Sequence, residues 1–300
     1  MGFSNVISEG GCRGGYRSCD DALAIARAPR DIHKERAAID GDAMTGTDLE
    51  KQHALITGGG TGIGLTIARE LAARGVRLTL VGRTLARLQQ AAKALPRAQA
   101  VAADVTDATS IAAALATATQ SHGPVSILVN NAGAAQAVPF LETSLAVWND
   151  TINVNLTGAF LCAQAVLPGM RAAKWGRIIN IASVAGVTGY AGVAAYVAAK
   201  HGLVGLTRSL ALEFAKDGIT VNALCPGYTE TDMAAAAIAN VRAKKGVSEE
   251  EARAMLAAKN PQKRLIAPEE VAAAAAWLCG PGSQSINGQS IVIAGGEVMP

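Results

Sequence analysis

Residues 196–200 read YVAAK, a tyrosine and a lysine four positions apart. On a helix, positions i and i+4 share a face, so the phenol and the ammonium point the same way. A phenol with a pKa of about 10 exchanges its proton poorly at neutral pH. A cation beside it favours the phenolate and moves it toward the range where general acid–base catalysis is efficient. Lys200 also closes an uncharged stretch running from Ile178 to Ala199 and opens HGLVGLTRSLALEF, which reads as a mostly buried helix. An ammonium in apolar surroundings loses hydration unless other groups replace it. Tyr190, the other tyrosine of the stretch, has Ala194 four residues on and lacks such a partner. Taken alone, YVAAK equally describes a buried tyrosine beside a snorkelling lysine.

A second group of residues suits phosphate. TGGGTGIG spans 57–64, and glycines at 58, 62 and 64 permit a tight turn and close backbone approach. A helix starting there offers unpaired amides and its positive dipole end to a pyrophosphate. The spacing is GxxxGxG rather than the more general GxGxxG, and glycine turns of this kind also arise for steric reasons alone. Some 20 residues on, where an acidic residue would receive a free ribose 2′-hydroxyl, the chain reads LTLVGR. Gly82 takes the acidic place and Arg83 follows. An arginine pairs with a 2′-phosphate that a carboxylate would repel, which favours NADP(H), with NAD(H) the alternative.

These residues need elements to position them, and from residue 53 the chain alternates regularly. The strand-like runs are HALIT, VRLTLVG, AQAVAAD, VSILVN, RIINIAS, ITVNALC and a closing run near 286–293. Between them lie helical stretches to about Arg74, Leu95 and His122, a long helix across 144–172, the helix holding YVAAK, and an alanine-rich stretch at 231–259. A last helix covers 268–279. Alternation of this kind requires crossovers and a parallel sheet covered on both faces. The expected fold is α/β, a single doubly wound (Rossmann-type) domain with a mainly parallel sheet over 44–300. Such sheets bind ligands beyond the carboxyl ends of their strands, where both groups of residues fall.

Composition narrows the partners. Net charge is +3 over 300 residues, and basic residues do not interleave with aromatics, which argues against nucleic acid. No apolar run reaches the roughly 20 residues that span a bilayer. Cys12, Cys19, Cys162, Cys225 and Cys279 show no metal-ligand spacing, and free thiols in a reducing cytoplasm are the simplest reading. His33, His53, His122 and His201 are scattered, so no metal is expected; His201 reads as a helix-surface residue. Residues 1–43 mix charges, glycine and small residues without periodicity and lack a signal-peptide h-region. They are expected to be a disordered extension, with a start at Met44 as the alternative origin of the chain.

The motifs together resemble the short-chain dehydrogenase/reductase family over about residues 52–297. TGGGTGIG, DV at 104–105, NNAG at 130–133, NVNLTG at 153–158, Ser183, YVAAK and PGYTETDM at 226–233 stand in the family's order. KHGLVGLTRSLALEF and GITVNALCPGYTETDM most resemble 3-oxoacyl-thioester and polyketide ketoreductases. The resemblance implies that Tyr196 protonates the carbonyl oxygen, Lys200 lowers its pKa and binds the nicotinamide ribose, and Ser183 holds the substrate oxygen. It implies a water anchored by Asn155 as a proton relay. For the cofactor it implies Gly58, Thr61, Gly62, Ile63, Gly64, Arg83, Asp104, Val105, Asn131, Ala132, Gly133, Pro226, Gly227 and Thr229, with Asn130 bracing sheet and cofactor.

Around these positions Val138, Ala185, Val187, Tyr190, Val193 and Met233 suggest an apolar substrate pocket. Residues 231–259 suggest a mobile lid whose Lys244, Lys245 and Arg253 face a phosphate or simply solvent. The expected reaction is interconversion of a ketone and a secondary alcohol, with a 3-oxoacyl thioester as the leading substrate. The alternatives are a secondary-alcohol dehydrogenase acting on an aromatic or alicyclic alcohol, and a non-catalytic dinucleotide-binding regulator. Family members pair through the helices at 144–172 and 196–216 and the last strand, so a homotetramer or homodimer is expected.

Overall fold

The computed structural model describes residues 49–299. The expectations for residues 1–43 and for a start at Met44 lie outside them. The apolar runs form strands β1 His53–Thr57, β2 Arg77–Gly82, β3 Ala98–Ala102, β4 Ile127–Asn130, β5 Gly176–Ile181, β6 Ile219–Pro226 and β7 Ser290–Ile293. They make one sheet in the order β3-β2-β1-β4-β5-β6-β7, parallel at every pairing. The helices are α1 Gly62–Ala72, α2 Leu85–Lys93, α3 Ala108–His122, α4 Leu145–Ile152, α5 Gly158–Ala173, α6 Ala194–Phe214, α7 Asp232–Lys245, α8 Glu249–Ala257 and α9 Pro268–Cys279.

The central strands are buried on both faces, which is why they read as unbroken apolar runs. Successive residues of β1 nonetheless serve different layers. Ala54 and Ile56 pack with Ile67 and Leu71 of α1 and Val271 and Ala275 of α9. Leu55 packs on the other side with Ile111 of α3 and Cys162 and Val166 of α5. Strand order reverses at β1, which lies between β2 and β4. The loops leaving β1 and β4 therefore face a shared crevice at the carboxyl edge.

The long helix expected across 144–172 is interrupted. Residues 153–157 form a π-helical turn between α4 and α5, and the Gly158 N–H reaches back to the Asn153 carbonyl. The Asn155 side-chain Nδ2 donates to the Thr151 carbonyl at 2.9 Å, the acceptor its own backbone N–H would use in an α-helix. Side-chain competition of this kind displaces the helical ladder, and single π turns recur at functional sites. The alanine-rich stretch divides into α7 and α8. Gly246 ends α7 at φ 65°, and Ser248 starts α8 by accepting from the Glu251 N–H while Glu251 accepts from the Ser248 N–H. The closing strand starts at Ser290 rather than near 286, and the Asn287 side chain before it is tied to the Val221 N–H and the Ala211 carbonyl.

Candidate active site

Helix α6 starts beyond the carboxyl end of β5 and carries Tyr196 and Lys200 on one face, one turn apart. Lys200 is only 4 % exposed. Its ammonium donates to the Ile181 carbonyl at 2.8 Å and lies 5.5 Å from the centre of the Tyr196 ring. Burial pushes the Tyr196 phenol up to about 12; a hydrogen bond from Ser183 opposes the rise, while Tyr228 and Cys225 add to it. Burial brings the Lys200 ammonium down to about 8, with Cys225 acting the other way. Burial is the largest cause of both shifts, and the phenol of the free enzyme holds its proton at neutral pH.

Two further side chains converge there. Ser183 follows β5 by two residues and accepts from the Ala185 N–H at 3.1 Å. In the π turn, Asn155 is fixed by its amide, which donates to the carbonyls of Thr151 at 2.9 Å and Ala134 at 2.8 Å. That pins Asn155 Oδ1, which is buried and takes no hydrogen bond from the described residues. A Cβ on Gly133 would stand 2.7 Å from this oxygen and 3.6 Å from Lys200 Nζ. The space left by Gly133 therefore brings the amide oxygen of the π turn and the ammonium of α6 together. A buried acceptor without a donor is costly unless a water or ligand group supplies one.

The glycine turn after β1 is braced from β4. Asn131 Nδ2 donates to the carbonyls of Thr57 at 3.0 Å and Gly58 at 3.2 Å, and Thr57 Oγ1 accepts from the N–H groups of Asn131 and Ala132, both at 3.0 Å. A Cβ on Gly64 would meet the Gly58 carbonyl oxygen and Asn131 Nδ2, each at 2.5 Å. Gly58 and Gly62 take φ values of 63° and 52°, in the left-handed region. Thr61, the N-cap of α1, makes no side-chain cap bond. The first amides of α1 face the crevice uncapped by it, as a pyrophosphate site requires.

Toward the sheet's β3 side, Arg83 is exposed directly after β2. Its guanidinium helps hold the Asp104 carboxyl below its usual range, behind the larger effect of bonds from Thr106 N–H at 2.9 Å and Thr106 Oγ1 at 2.8 Å. Val105 is buried against Gly158. Asn130 donates to Asn180 Oδ1 at 2.9 Å, tying β4 to β5. At the end of β6, Pro226 pairs with Ile293, and the Gly227 N–H donates to that residue's carbonyl at 3.0 Å. Thr229 is buried and bridges Ile266.

Among the residues expected to line the substrate pocket, Val138 is tied to the loop that carries Tyr190 and Val193. The Val138 N–H donates to the Gly192 carbonyl at 2.9 Å, joining the loop after β4 to the loop before α6. Met233, half-exposed, lies in the first turn of α7. Ala185 is buried, and Val187 packs against Ala159, Leu203 and Val204 in the core. Tyr190 is less apolar than expected, since its hydroxyl donates to Glu297 Oε1 at 2.5 Å. Within residues 231–259, Lys244 and Lys245 occupy the last turn of α7, and Arg253 of α8 pairs with Glu230. Among the described residues no three His, Cys, Asp or Glu come together as a metal site, and no helix is long and apolar enough to cross a membrane. Sequence reasoning missed Thr57, Tyr228 and Glu297. Thr57 sits inside the glycine motif and Tyr228 inside PGYTET, whereas nothing in the sequence singles out Glu297.

Residues 52–242 match the family model described as short chain dehydrogenase. The chain is 40 % identical over 253 residues to a putative ketoacyl reductase of Streptomyces coelicolor, covering 82 % of this chain and 97 % of the relative. To the 3-oxoacyl-(acyl-carrier-protein) reductase FabG of Vibrio cholerae it is 39 % identical, covering 84 % and 99 %. Among solved structures it resembles a variant of actinorhodin polyketide ketoreductase with NADPH, with a TM-score of 0.80 and 40 % identity over 83 % of this chain and 98 % of that one. The chain belongs to the short-chain dehydrogenase/reductase family. It is an oxidoreductase interconverting ketones and alcohols with an NAD(P)(H) cofactor.

Proposed function

We propose that the enzyme reduces a 3-oxoacyl thioester or a similar neutral ketone, with NADP(H) as its cofactor. The observation that carries the reading is the convergence of Asn155 Oδ1 and Lys200 Nζ beside Gly133, one helical turn from Tyr196. The cofactor, when bound, would supply the hydride. Tyr196, protonated at neutral pH, gives its proton to the carbonyl oxygen, and the Ser183 hydroxyl steadies both oxygens. Lys200 stabilises the resulting phenolate and meets the nicotinamide ribose. Asn155 Oδ1 accepts from a water that returns a proton from solvent through Lys200.

Gly58, Thr61, Gly62, Ile63 and Gly64 would hold the pyrophosphate, Asp104 and Val105 the adenine side, Asn131, Ala132 and Gly133 the ribose side, and Pro226, Gly227 and Thr229 the nicotinamide amide. Gly82 leaves the 2′ position free of a carboxylate and Arg83 offers its guanidinium, which supports NADP(H) over NAD(H). The NADPH of the similar ketoreductase supports the same choice. The reductase relatives support the 3-oxoacyl class. A homodimer or homotetramer belongs to this reading, supported by Phe160 on α5 and Leu212 on α6, which stay exposed. So does a cytoplasmic location, supported by the unpaired, buried Cys162, Cys225 and Cys279.

The test is oxidation of NADPH and NADH against a carbonyl panel that includes acetoacetyl-coenzyme A. Turnover of the thioester with NADPH at far lower KM than with NADH is expected. Turnover confined to aromatic or alicyclic alcohols with NAD would refute the substrate and cofactor assignments together.

A further inference from the structure

The last residues of the described chain return to the carboxyl edge of the sheet. Ile293 of β7 pairs with Pro226 of β6, so the turn that follows stands beside Gly227. Gly295 and Gly296 take φ values of 59° and 92° there, and Asn260, just past the 231–259 stretch, fills the space that a side chain on Gly295 would need. This turn aims Glu297 back at the substrate loop. Its Oε1 accepts from the Tyr190 hydroxyl at 2.5 Å. Its Oε2 lies 3.2 Å from where a Cβ on Gly227 would stand and takes no hydrogen bond from a described residue. Gly227 thus admits the carboxylate to the same loop that carries Thr229. The exposed Lys259 sets its ammonium 4.2 Å from the centre of the Tyr190 ring. Tyr228, next to Gly227, senses the charge of Glu297 and is itself sensed by Tyr196.

We propose that Glu297 is a specificity-determining residue that makes the Tyr190 wall of the substrate pocket anionic, so that the enzyme accepts neutral 3-oxo esters and thioesters and rejects free 3-oxo acids. The inference rests on the ketone-reductase reading above. A substrate carboxylate beside the C2 carbon would face a half-buried carboxylate whose Oε1 already holds the Tyr190 hydroxyl. Like charges brought together out of bulk water repel. Lys259 offsets little of this, because its ammonium is exposed and screened. A neutral ester meets no such repulsion, and a substrate hydroxyl or amide N–H on this side gains a charge-assisted bond to Oε2.

Binding separates this inference from the reading beneath it, because it needs no turnover. Tyr196→Phe enzyme saturated with NADPH is titrated with ethyl acetoacetate and with acetoacetate, following nicotinamide fluorescence. With Glu297 present the ester should bind roughly tenfold tighter or more. In the Glu297→Gln variant of the same protein that ratio should fall at least fivefold through tighter binding of the acid, while Glu297→Asp, which keeps the charge, should retain most of it. Equal binding of ester and acid to the Glu297 protein overturns the inference and leaves the ketone reading standing. A ratio that Gln leaves unchanged, or that Gln and Asp abolish alike, overturns it as well. Binding of neither ligand overturns both.

Discussion

At the scale of single residues, the site stores cost in buried polar groups. Lys200 at about 8, against 10.5 in the unfolded chain, means that the charged lysine destabilises the fold at neutral pH. Relief of that penalty in Lys200→Met is worth on the order of 3 kcal/mol, and leaving the Ile181 carbonyl unpaired costs about 1–2 kcal/mol. The variant should therefore be inactive yet roughly 1 kcal/mol more stable at pH 7, read as a higher Tm. A lower Tm would mean that the ammonium is a structural cation. Gly133→Ala should lower kcat by roughly a hundredfold and also cost about 1–3 kcal/mol of stability, read as a lower Tm, because its methyl would displace the buried Asn155 Oδ1 that two amide hydrogen bonds hold in place. Arg83→Ala should weaken NADPH binding at least tenfold more than NADH binding, measured by fluorescence titration. Tyr196 and Lys200 were legible as candidates from residue type and spacing, and Ser183 and Asn155 from the family resemblance. The sign of the Tyr196 shift was not, because it depends on burial that only the folded chain defines. Glu297 was equally hidden, since its partner Tyr190 lies 107 positions away.

At the scale of elements, strands and helices were legible from apolar runs and punctuation. β1 and α9 fall where HALIT and 268–279 were expected, since a buried strand and a Pro-initiated, Gly-terminated helix announce themselves. The π turn did not announce itself. Its cause is a side-chain bond from Asn155 to Thr151 within an otherwise regular helical pattern. The start of α5 is held by close packing, and a Cβ on Gly158 would come within 2.8 Å of Val105 Cγ2. Gly158→Ala should cost about 1–3 kcal/mol of stability by overpacking, seen as a lower urea midpoint, and should weaken the cofactor through Val105.

At the scale of the whole molecule, the sheet separates a chemical edge from a structural one. At the amino edge His53 is fully buried, with Nδ1 2.8 Å from the Gly123 carbonyl and Nε2 2.9 Å from Thr79 Oγ1. Burial lowers its pKa from 6.5 to about 4, aided by His122 and Arg77 and opposed by the Gly123 carbonyl. A depressed folded pKa gives stability that is complete above pH 6.5 and lost as pH falls through the folded value near 4. The wild-type protein should lose up to about 3 kcal/mol from this site between those limits, a loss absent in His53→Asn. Denaturant melts at pH 7.5 and 4.5 check it. The doubly wound fold was legible from the alternation of elements, whereas the strand order, which puts β1 at the reversal, required the folded chain.

Tyr196 is the acid proposed to protonate the substrate oxygen. The most direct test is steady-state reduction of acetoacetyl-coenzyme A with NADPH by the wild-type enzyme and by Tyr196→Phe, with NADPH affinity measured alongside. The variant should lose roughly a thousandfold in kcat and bind NADPH within about twofold of wild type. A variant that keeps a kcat comparable to wild type would contradict the assignment.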